Sequence, residues 1–317
     1  MKKFSIGVAI IIGVLFIIVI VKTLLNTPDL TNEKVALASL PEHAIEHMSQ
    51  AIQIPTETPD DYYKYDSAVF YKYRAFIEKS YPLVHSQLSR TIVDSFNYIY
   101  EWKGTDTSKL PIVLMAHYDV VPVEASAIPL WHASPYGGEI KENYIWGRGT
   151  LDDKSSMISL LEAAEASLKE GFKPSQTIYL CFGGDEESNG RGAAAIVKFF
   201  TAQKKRFEMV VDEGGEISTE DNKDIKRPIA SIGVGEKGYV TLVLTAKKEG
   251  GHSSIPGKRT AIDILSDGIS TLRKNQMNAK IIPPIQAYLE RIAPYSSNIL
   301  QKISLSNLWF FNPLVIN

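Results

Sequence analysis

The sequence predicts an α/β protein built on a mostly parallel sheet flanked by helices, and three observations predict it. Apolar runs of strand length alternate with amphipathic helical segments from Pro111 onward. Three of those runs, at Pro111–Leu114, Thr177–Phe182 and Phe207–Val211, empty directly into polar or acidic residues. His117, Asp152, Glu187 and Asp212, beyond the strand ends, are spaced by 35, 35 and 25 residues, about one strand–helix unit each. In open α/β sheets ligands collect beyond the carboxyl ends of the strands.

The 317 residues suffice for two domains with a core of ordinary size, and 44% hydrophobic with 22% charged residues is a globular composition. Lys+Arg 34 against Asp+Glu 36 leaves no basic excess for nucleic acid. The single Cys181 sits in an apolar run, which excludes a disulfide framework, a thiolate metal site and a Cys-x-x-Cys redox pair. Phe4 to Val21 is almost wholly apolar, preceded by Lys2-Lys3 and closed by Lys22. As a helix it is ~27 Å long, close to the ~30 Å hydrocarbon core. A cleaved signal peptide is the competing reading, but Thr23 to Pro28 offers no small-residue cleavage site. An uncleaved membrane anchor over residues 1–25 is therefore expected, with Lys2 and Lys3 cytoplasmic and everything after Leu25 on the other side.

Thr27 to Asn32 reads as a polar linker, followed by helical spacing over Glu33 to Ala51 that Pro41 interrupts. His43 and His47 lie four apart there, but Glu46 is misplaced for an H-E-x-x-H motif, so a plain surface or half-buried helix is expected. Ala68–Glu78 and Val84–Ser89 predict helix, and Ile92–Trp102 a strand rich in β-branched and aromatic residues. Gly104-Thr105-Asp106 turns the chain into the strand that ends at His117. His117 and Asp119 are two apart, which on a strand puts them on one face. That pair suits a metal ligand with its orienting carboxylate, or a core histidine satisfied by an acid. His132 falls in the Trp131–Gly138 loop and has no carboxylate nearby in sequence. In Gly147-Arg148-Gly149-Thr150-Leu151-Asp152 the place of a third dinucleotide-binding glycine is taken by Asp152, which would repel a pyrophosphate.

From Asp153 a helix follows, with Met157, Leu160, Leu161, Ala164 and Leu168 on its apolar stripe and Glu162, Glu165 and Lys169 facing away. Asp152 or Asp153 can cap it, leaving the other acid for other work. Thr177–Phe182 predicts a strand buried on both faces, opening into Asp185-Glu186-Glu187. A helix over Ala193–Phe200 and a strand over Phe207–Val211 lead to Asp212-Glu213. Several acids converging on one sheet edge around a histidine point to a metal site. After Gly238, Val240, Leu242, Leu244 and Ala246 alternate with polar residues, predicting a strand buried on one face. A helix over Thr260–Leu272 is expected to bury Ala261, Ile262, Leu265, Ile269 and Leu272, opening a second, antiparallel α+β domain. Domain limits of 26–237 and 238–317 follow.

The stretches His117-Tyr118-Asp119-Val120-Val121-Pro122, Gly147 to Lys154, Asp185-Glu186-Glu187, Val211 to Gly215 and Gly250 to Pro256 together resemble the M20 family of metallopeptidases and amidohydrolases. The likeness is greatest to the carboxypeptidase S-like branch with its fatty-acyl amino acid hydrolases. The resemblance implies a zinc-peptidase-like catalytic domain, a lid that also serves dimerisation, and two Zn2+ ions. It assigns one ion to His117 and the other to Glu187, with Asp152 bridging and Asp212, or Glu213 beside it, completing the first. Asp119 would orient His117, Glu186 would be the general base, and His252 would reach a partner subunit's site to polarise the scissile carbonyl. The implied reaction is hydrolysis, by a metal-activated hydroxide, of an amide joined to an amino acid with a free carboxylate, the substrate being a peptide or an N-acyl amino acid. The family supplies a last histidine to the second zinc after the lid, whereas the six histidines here end at His252. The expectation is a C-terminally truncated chain with both domains incomplete, the alternative being a non-catalytic remnant or binding subunit.

Overall fold

A computed structural model describes residues 2–28, 38–59, 64–188, 190–219, 223–225, 227–236, 238, 240–252, 254–255 and 257–316. Part of the Thr27–Asn32 linker and the start of the Glu33–Ala51 helix lie outside the described residues. Helix α1 (Lys2–Leu25) opens the chain, which divides into two compact units, residues 35–213 and residues 1–34 with 214–317.

The 35–213 unit begins with α2 (Ala44–Ile52), α3 (Ser67–Ser80) and α4 (Pro82–Gln87). Then come β1 (Ser89–Val93), β2 (Asn97–Trp102), β3 (Ile112–His117) and the short pair β4 (Glu139–Lys141) and β5 (Tyr144–Trp146). Helix α5 (Lys154–Lys169), β6 (Ile178–Gly183), α6 (Arg191–Ala202) and β7 (Met209–Val211) complete it. The five-stranded sheet runs β1-β2-β6-β3-β7. Its β6–β3 and β3–β7 pairs are parallel, but β1–β2 and β2–β6 are antiparallel. The sheet is therefore mixed, a correction to the mostly parallel expectation. The cause is local: Asp94 and Ser95 take φ of 43° and 70°, so the Ile92–Trp102 run folds back as a hairpin. A hairpin reverses the chain, and its strands can only pair antiparallel.

Alternation along the strands sends side chains to two cores. Tyr98, Tyr100, Leu180 and Phe182 pack with α2, α3, α4 and α5, whereas Ile99, Val113, Tyr179 and Cys181 pack with Ile196 and Phe200 of α6. β6 is buried on both faces along Tyr179 to Phe182, as its unbroken apolar run predicts. Cys181 is wholly buried, and burial pushes its thiol up to about 12. At the base of α6, Gly192 donates its N–H to both Asp185 oxygens, at 2.9 and 3.1 Å. A Cβ there would fall 1.8 Å from Asn97 Oδ1, so only glycine lets the helix end approach this closely.

Helix α5 departs from its predicted amphipathic pattern. Glu162 does not face solvent: it is 7% exposed, accepts from Tyr81 Oη at 3.0 Å and lies 2.5 Å from His47 Nδ1. Glu165 accepts from the Leu83 and Val84 N–H groups at 2.9 and 2.8 Å, satisfying donors that the first turn of α4 leaves free. Because α2 and α4 cover this face, its acids serve as acceptors for them. Lys154 is fully buried, with Nζ donating to the Ala51 and Ile54 carbonyls at 2.9 and 2.6 Å and lying 5.0 Å from the Tyr73 ring centroid. Burial lowers its pKa to about 7, against the pull of Asp119.

In the other unit α1 is almost entirely exposed. The two-residue strands β8 (Ile217–Ser218) and β9 (Ile229–Ala230) pair antiparallel. Helix α7 (Ala261–Lys274) starts at Thr260 with a reciprocal capping box to Asp263. α8 (Pro283–Ile292), α9 (Ile299–Ser306) and α10 (Leu308–Ile316) follow, with a small core of Ala293, Leu305 and Leu308. The strand expected over Val240–Ala246 is not formed, and Val240 and Leu242 are 72% and 70% exposed. A strand needs a neighbour for its N–H and C=O groups, and no described segment pairs with this one. Helix α7 forms, but Ile262, Ile269 and Leu272 stay exposed rather than buried.

Replacing Lys154 with Met would leave the Ala51 and Ile54 carbonyls without their donor in the core. Urea unfolding is expected to show a loss of about 2–4 kcal/mol, against under ~0.5 kcal/mol for Lys169→Met on the exposed end of α5. Equal stability of the two variants would contradict this role for Lys154.

Candidate metal centre

Parallel pairing brings the carboxyl ends of β3 and β6 level, with His117 opposite Gly183. The loops beyond these ends, the start of α5 and the residues after β7 supply the side chains around His117. The His117 ring is 3% exposed. Its Nδ1 lies 3.1 Å from the Asp119 carbonyl oxygen and 3.3 Å from Asp119 Oδ1. A proton held on Nδ1 by these acceptors leaves the Nε2 lone pair free for a cation. Around Nε2 stand Asp152 Oδ1 at 2.9 Å, Glu213 Oε1 at 3.3 Å and Glu186 Oε2 at 3.9 Å.

Two groups each bring their ligand atoms within 4.8 Å of one another: His117 with Asp152 and Glu187, and His117 with Glu186 and Glu213. Asp212 belongs to neither; its Oδ1 accepts from the Glu213 N–H at 3.0 Å, and it is exposed. Ladder pairing of β7 stops at Val211 opposite Leu114, so Glu213 extends one residue nearer the level of His117 than Asp212 does. Asp153 is separate from the cluster: it is 1% exposed at the N-cap of α5, its Oδ2 3.4 Å from the His117 N–H. His252 lies in the other unit, exposed, with Nδ1 2.7 Å from Ser254 Oγ; Ser253 and Pro256 of that loop lie outside the described residues. His132 packs against the Trp146 ring and His47 pairs with Glu162, and neither belongs to the groups around His117.

The electrostatics are those of an excess of anions around one imidazole. Burial alone would lower the His117 pKa, but the hydrogen bond and charge of Asp119, with Glu213 and Glu186, lift it to about 10. Burial, then Asp153, Asp152 and Glu186, raise Glu213 to about 7 against the opposing pull of His117. Glu186 is raised by burial and by Asp119, Asp152 and Asp212, and Glu187 by burial and by Asp152. Carboxylates that resist ionising together, beside a ring nitrogen with its partner nitrogen already held, fit a divalent cation in chemistry and in spacing.

Asp119 ties the cluster together. It is wholly buried and accepts from the Glu186 N–H on Oδ1 at 3.1 Å, and from the Glu187 N–H and Thr58 Oγ1 on Oδ2 at 3.0 and 2.6 Å. Sequence reasoning missed Thr58. It lies 61 residues before Asp119 in a segment held by the Glu57–Val120 bridge, and only the fold brings the two together. A cavity of about 330 Å³ opens beside the cluster, lined among others by Leu114, Met115, Ser155, Ser159, Asp212 and Glu213.

Fold and site together define an α/β protein with a histidine–carboxylate cluster, of a kind that could hold a metal ion, at the carboxyl edge of its sheet. Residues 113–307 match Peptidase family M20/M25/M40, and the chain belongs to that family. It is 37% identical over 259 residues to probable carboxypeptidase S-like 2 of Dictyostelium discoideum, covering 81% of this chain and 49% of that one. It is 35% identical over 276 residues to the N-fatty-acyl-amino acid synthase/hydrolase PM20D1 of Homo sapiens, covering 85% of this chain and 53% of that one. The chain thus spans about half the length of the curated relatives it matches. Among solved structures, the yeast dipeptidase Dug1p aligns at a TM-score of 0.44 with 19% identity, over 55% of this chain and 39% of that one.

The protonation of the cluster would give any metal binding there a pH dependence of definite sign. A cation takes the deprotonated forms, whereas without one His117 is protonated below about 10 and Glu213 below about 7. Affinity for a divalent cation is therefore expected to rise roughly tenfold or more per unit from pH 6 to 8. Binding at pH 7 should release protons, seen in calorimetry as an apparent enthalpy that changes with buffer ionisation enthalpy. A buffer-independent enthalpy and a flat affinity would contradict the cluster's assignment as the metal site.

Proposed function

We propose that this chain carries the metal centre and general base of a hydrolase that cleaves the amide of a peptide or N-acyl amino acid with a free carboxylate. The observation that carries the reading is the convergence on His117 Nε2 of carboxylates from separate segments of one sheet edge. The names of the relatives, a carboxypeptidase and an N-fatty-acyl-amino acid synthase/hydrolase, support an amide linked to an amino acid. The ions proposed are two Zn2+, held by His117, Asp152 and Glu187, with Asp212 or Glu213 at the first. When bound they would supply an acidified water and a Lewis acid for the carbonyl oxygen.

The remaining chemistry falls to the protein. Asp119 holds His117 in one tautomer and, through the Glu186 N–H, sets the position of the general base. Glu186 is more than half exposed at the cluster, with its pKa raised by burial and neighbouring acids. Such a carboxylate can take a proton from the attacking water as its oxygen bonds to the carbonyl carbon. It then returns that proton to the leaving amine as the C–N bond breaks. His252 is proposed to donate to the carbonyl oxygen from the lid of a partner subunit, in a homodimer built through residues 238–317. The catalytic domain is proposed to occupy residues 26–237.

The apolar helix α1 is proposed to be an uncleaved membrane anchor that leaves the catalytic domain on the non-cytoplasmic side. Its length and mean hydropathy of 3.0 over Ile6–Leu25 support this.

Two measurements test the proposal. Glu186→Gln is expected to lower kcat by about 10²–10⁴-fold while zinc content is unchanged; full activity would remove Glu186 from the reaction. A protease added outside intact cells or spheroplasts is expected to digest the catalytic domain, and complete protection would refute the topology.

A further inference from the structure

An ionised carboxylate offers about four lone-pair positions, and at Asp119 all of them face donors. Oδ1 lies 3.1 Å from the Glu186 N–H and 3.3 Å from His117 Nδ1. Oδ2 lies 3.0 Å from the Glu187 N–H and 2.6 Å from Thr58 Oγ1. Three of these donors belong to members of the two ligand groups. The fourth, Thr58, belongs to neither; it is 4% exposed, and its hydroxyl proton goes to Asp119. We propose that Thr58 is a positioning residue of the metal centre, its hydroxyl locking the Asp119 carboxylate in the orientation that holds His117 and the Glu186–Glu187 backbone together. This rests on the reading of the cluster as a metal centre.

The local backbone is arranged to deliver that hydroxyl. Residues 54–58 follow α2 and run parallel to the chain leaving β3, with Glu57 opposite Val120. The Val120 N–H donates to the Thr56 carbonyl at 2.9 Å, and the Thr58 N–H to the Val120 carbonyl at 3.1 Å. In extended chain, residues two apart share a face, so Thr56 and Thr58 both turn toward residues 118–119. There the Thr56 hydroxyl donates to the Tyr118 carbonyl, and that of Thr58 to Asp119 Oδ2. At the start of the segment Lys154 Nζ holds the Ala51 and Ile54 carbonyls, which ties it to the helix that begins two residues after Asp152.

The orientation of the carboxylate matters because both oxygens are in use. A turn about its Cβ–Cγ bond disturbs the contact to the imidazole and the grip on both acids at once. Asp119 has no exposed surface, so bulk water does not replace a donor that is lost. Partners that orient a metal ligand from behind in this way are worth ~10–100-fold in metal affinity. Thr56 provides an internal control: it is equally buried and gives one hydrogen bond from the same segment, but to a backbone carbonyl.

The test is the Zn2+ affinity of the full chain, measured by competition with a chromophoric chelator at neutral pH. Thr58→Val nearly keeps the side-chain shape and removes the donor, and is expected to weaken binding by ~10–100-fold. Thr58→Ser, which keeps the hydroxyl, is expected to bind as the wild type does. Thr56→Val is expected to leave affinity unchanged, although it too loses a buried hydrogen bond. Should Thr58→Val not fold, Thr58→Ala takes its place with the same expectation. Wild-type affinity without the Thr58 hydroxyl, or equal weakening by Thr56→Val, would reduce Thr58 to a structural role and overturn the proposal. A wild-type chain that takes up no Zn2+ would overturn the metal-centre reading and the proposal with it.

Discussion

The candidate centre depends on one carboxylate withdrawn from water. Asp119 has no exposed surface, and an ion so placed is tolerated only when its oxygens are matched by donors. Its partners come from three places: the Thr58 hydroxyl, the N–H groups of Glu186 and Glu187, and the ring of His117. The strand carrying the imidazole, the loop carrying the acids and a segment from the start of the unit are thereby fixed to a common point. Because the loop is gripped by its backbone, the side chains of Glu186 and Glu187 remain free for chemistry. Removing the negative charge of Asp119 would loosen the histidine and the acids together.

Some of this was legible in the sequence and some was not, for identifiable reasons. β6 was readable because a strand buried on both faces must be apolar throughout, and Tyr179 to Phe182 satisfy that without ambiguity. The hairpin was not, since Asp94-Ser95 is a weak turn signal beside Asn-Gly or Asp-Gly, yet both residues adopt positive φ. That single missed turn made an antiparallel margin look like part of a parallel sheet. On α5 the periodicity located the apolar stripe, but Glu162 and Glu165 are polar residues on a covered face, which composition alone assigns to solvent. The partners that rescue them lie on α2 and α4, and no local pattern announces those contacts.

At the centre, residues spaced by about one strand–helix unit are those that a parallel sheet gathers at one edge, so His117, Asp152 and Glu187 could be named together. Asp212 was the sequence's choice over Glu213 beside it, but the β7 ladder stops at Val211 and it is Glu213 that stands within reach of His117. Thr58 carried no signal, because a hydroxyl that serves a remote carboxylate looks like any threonine after a helix. The α/β frame and its acidic rim follow from periodicity, whereas the buried polar contacts that hold the rim in place are long-range and emerge only from the fold.

The position of Cys181 has a bearing on where such a protein can live. Its sulfur is sealed between the strands and α6, and it forms thiolate only under strongly alkaline conditions. Thiol–disulfide exchange needs an accessible thiolate, and the folded chain presents none. Within these 317 residues an oxidising medium therefore finds no thiol to cross-link, and small-molecule disulfides find none to cap.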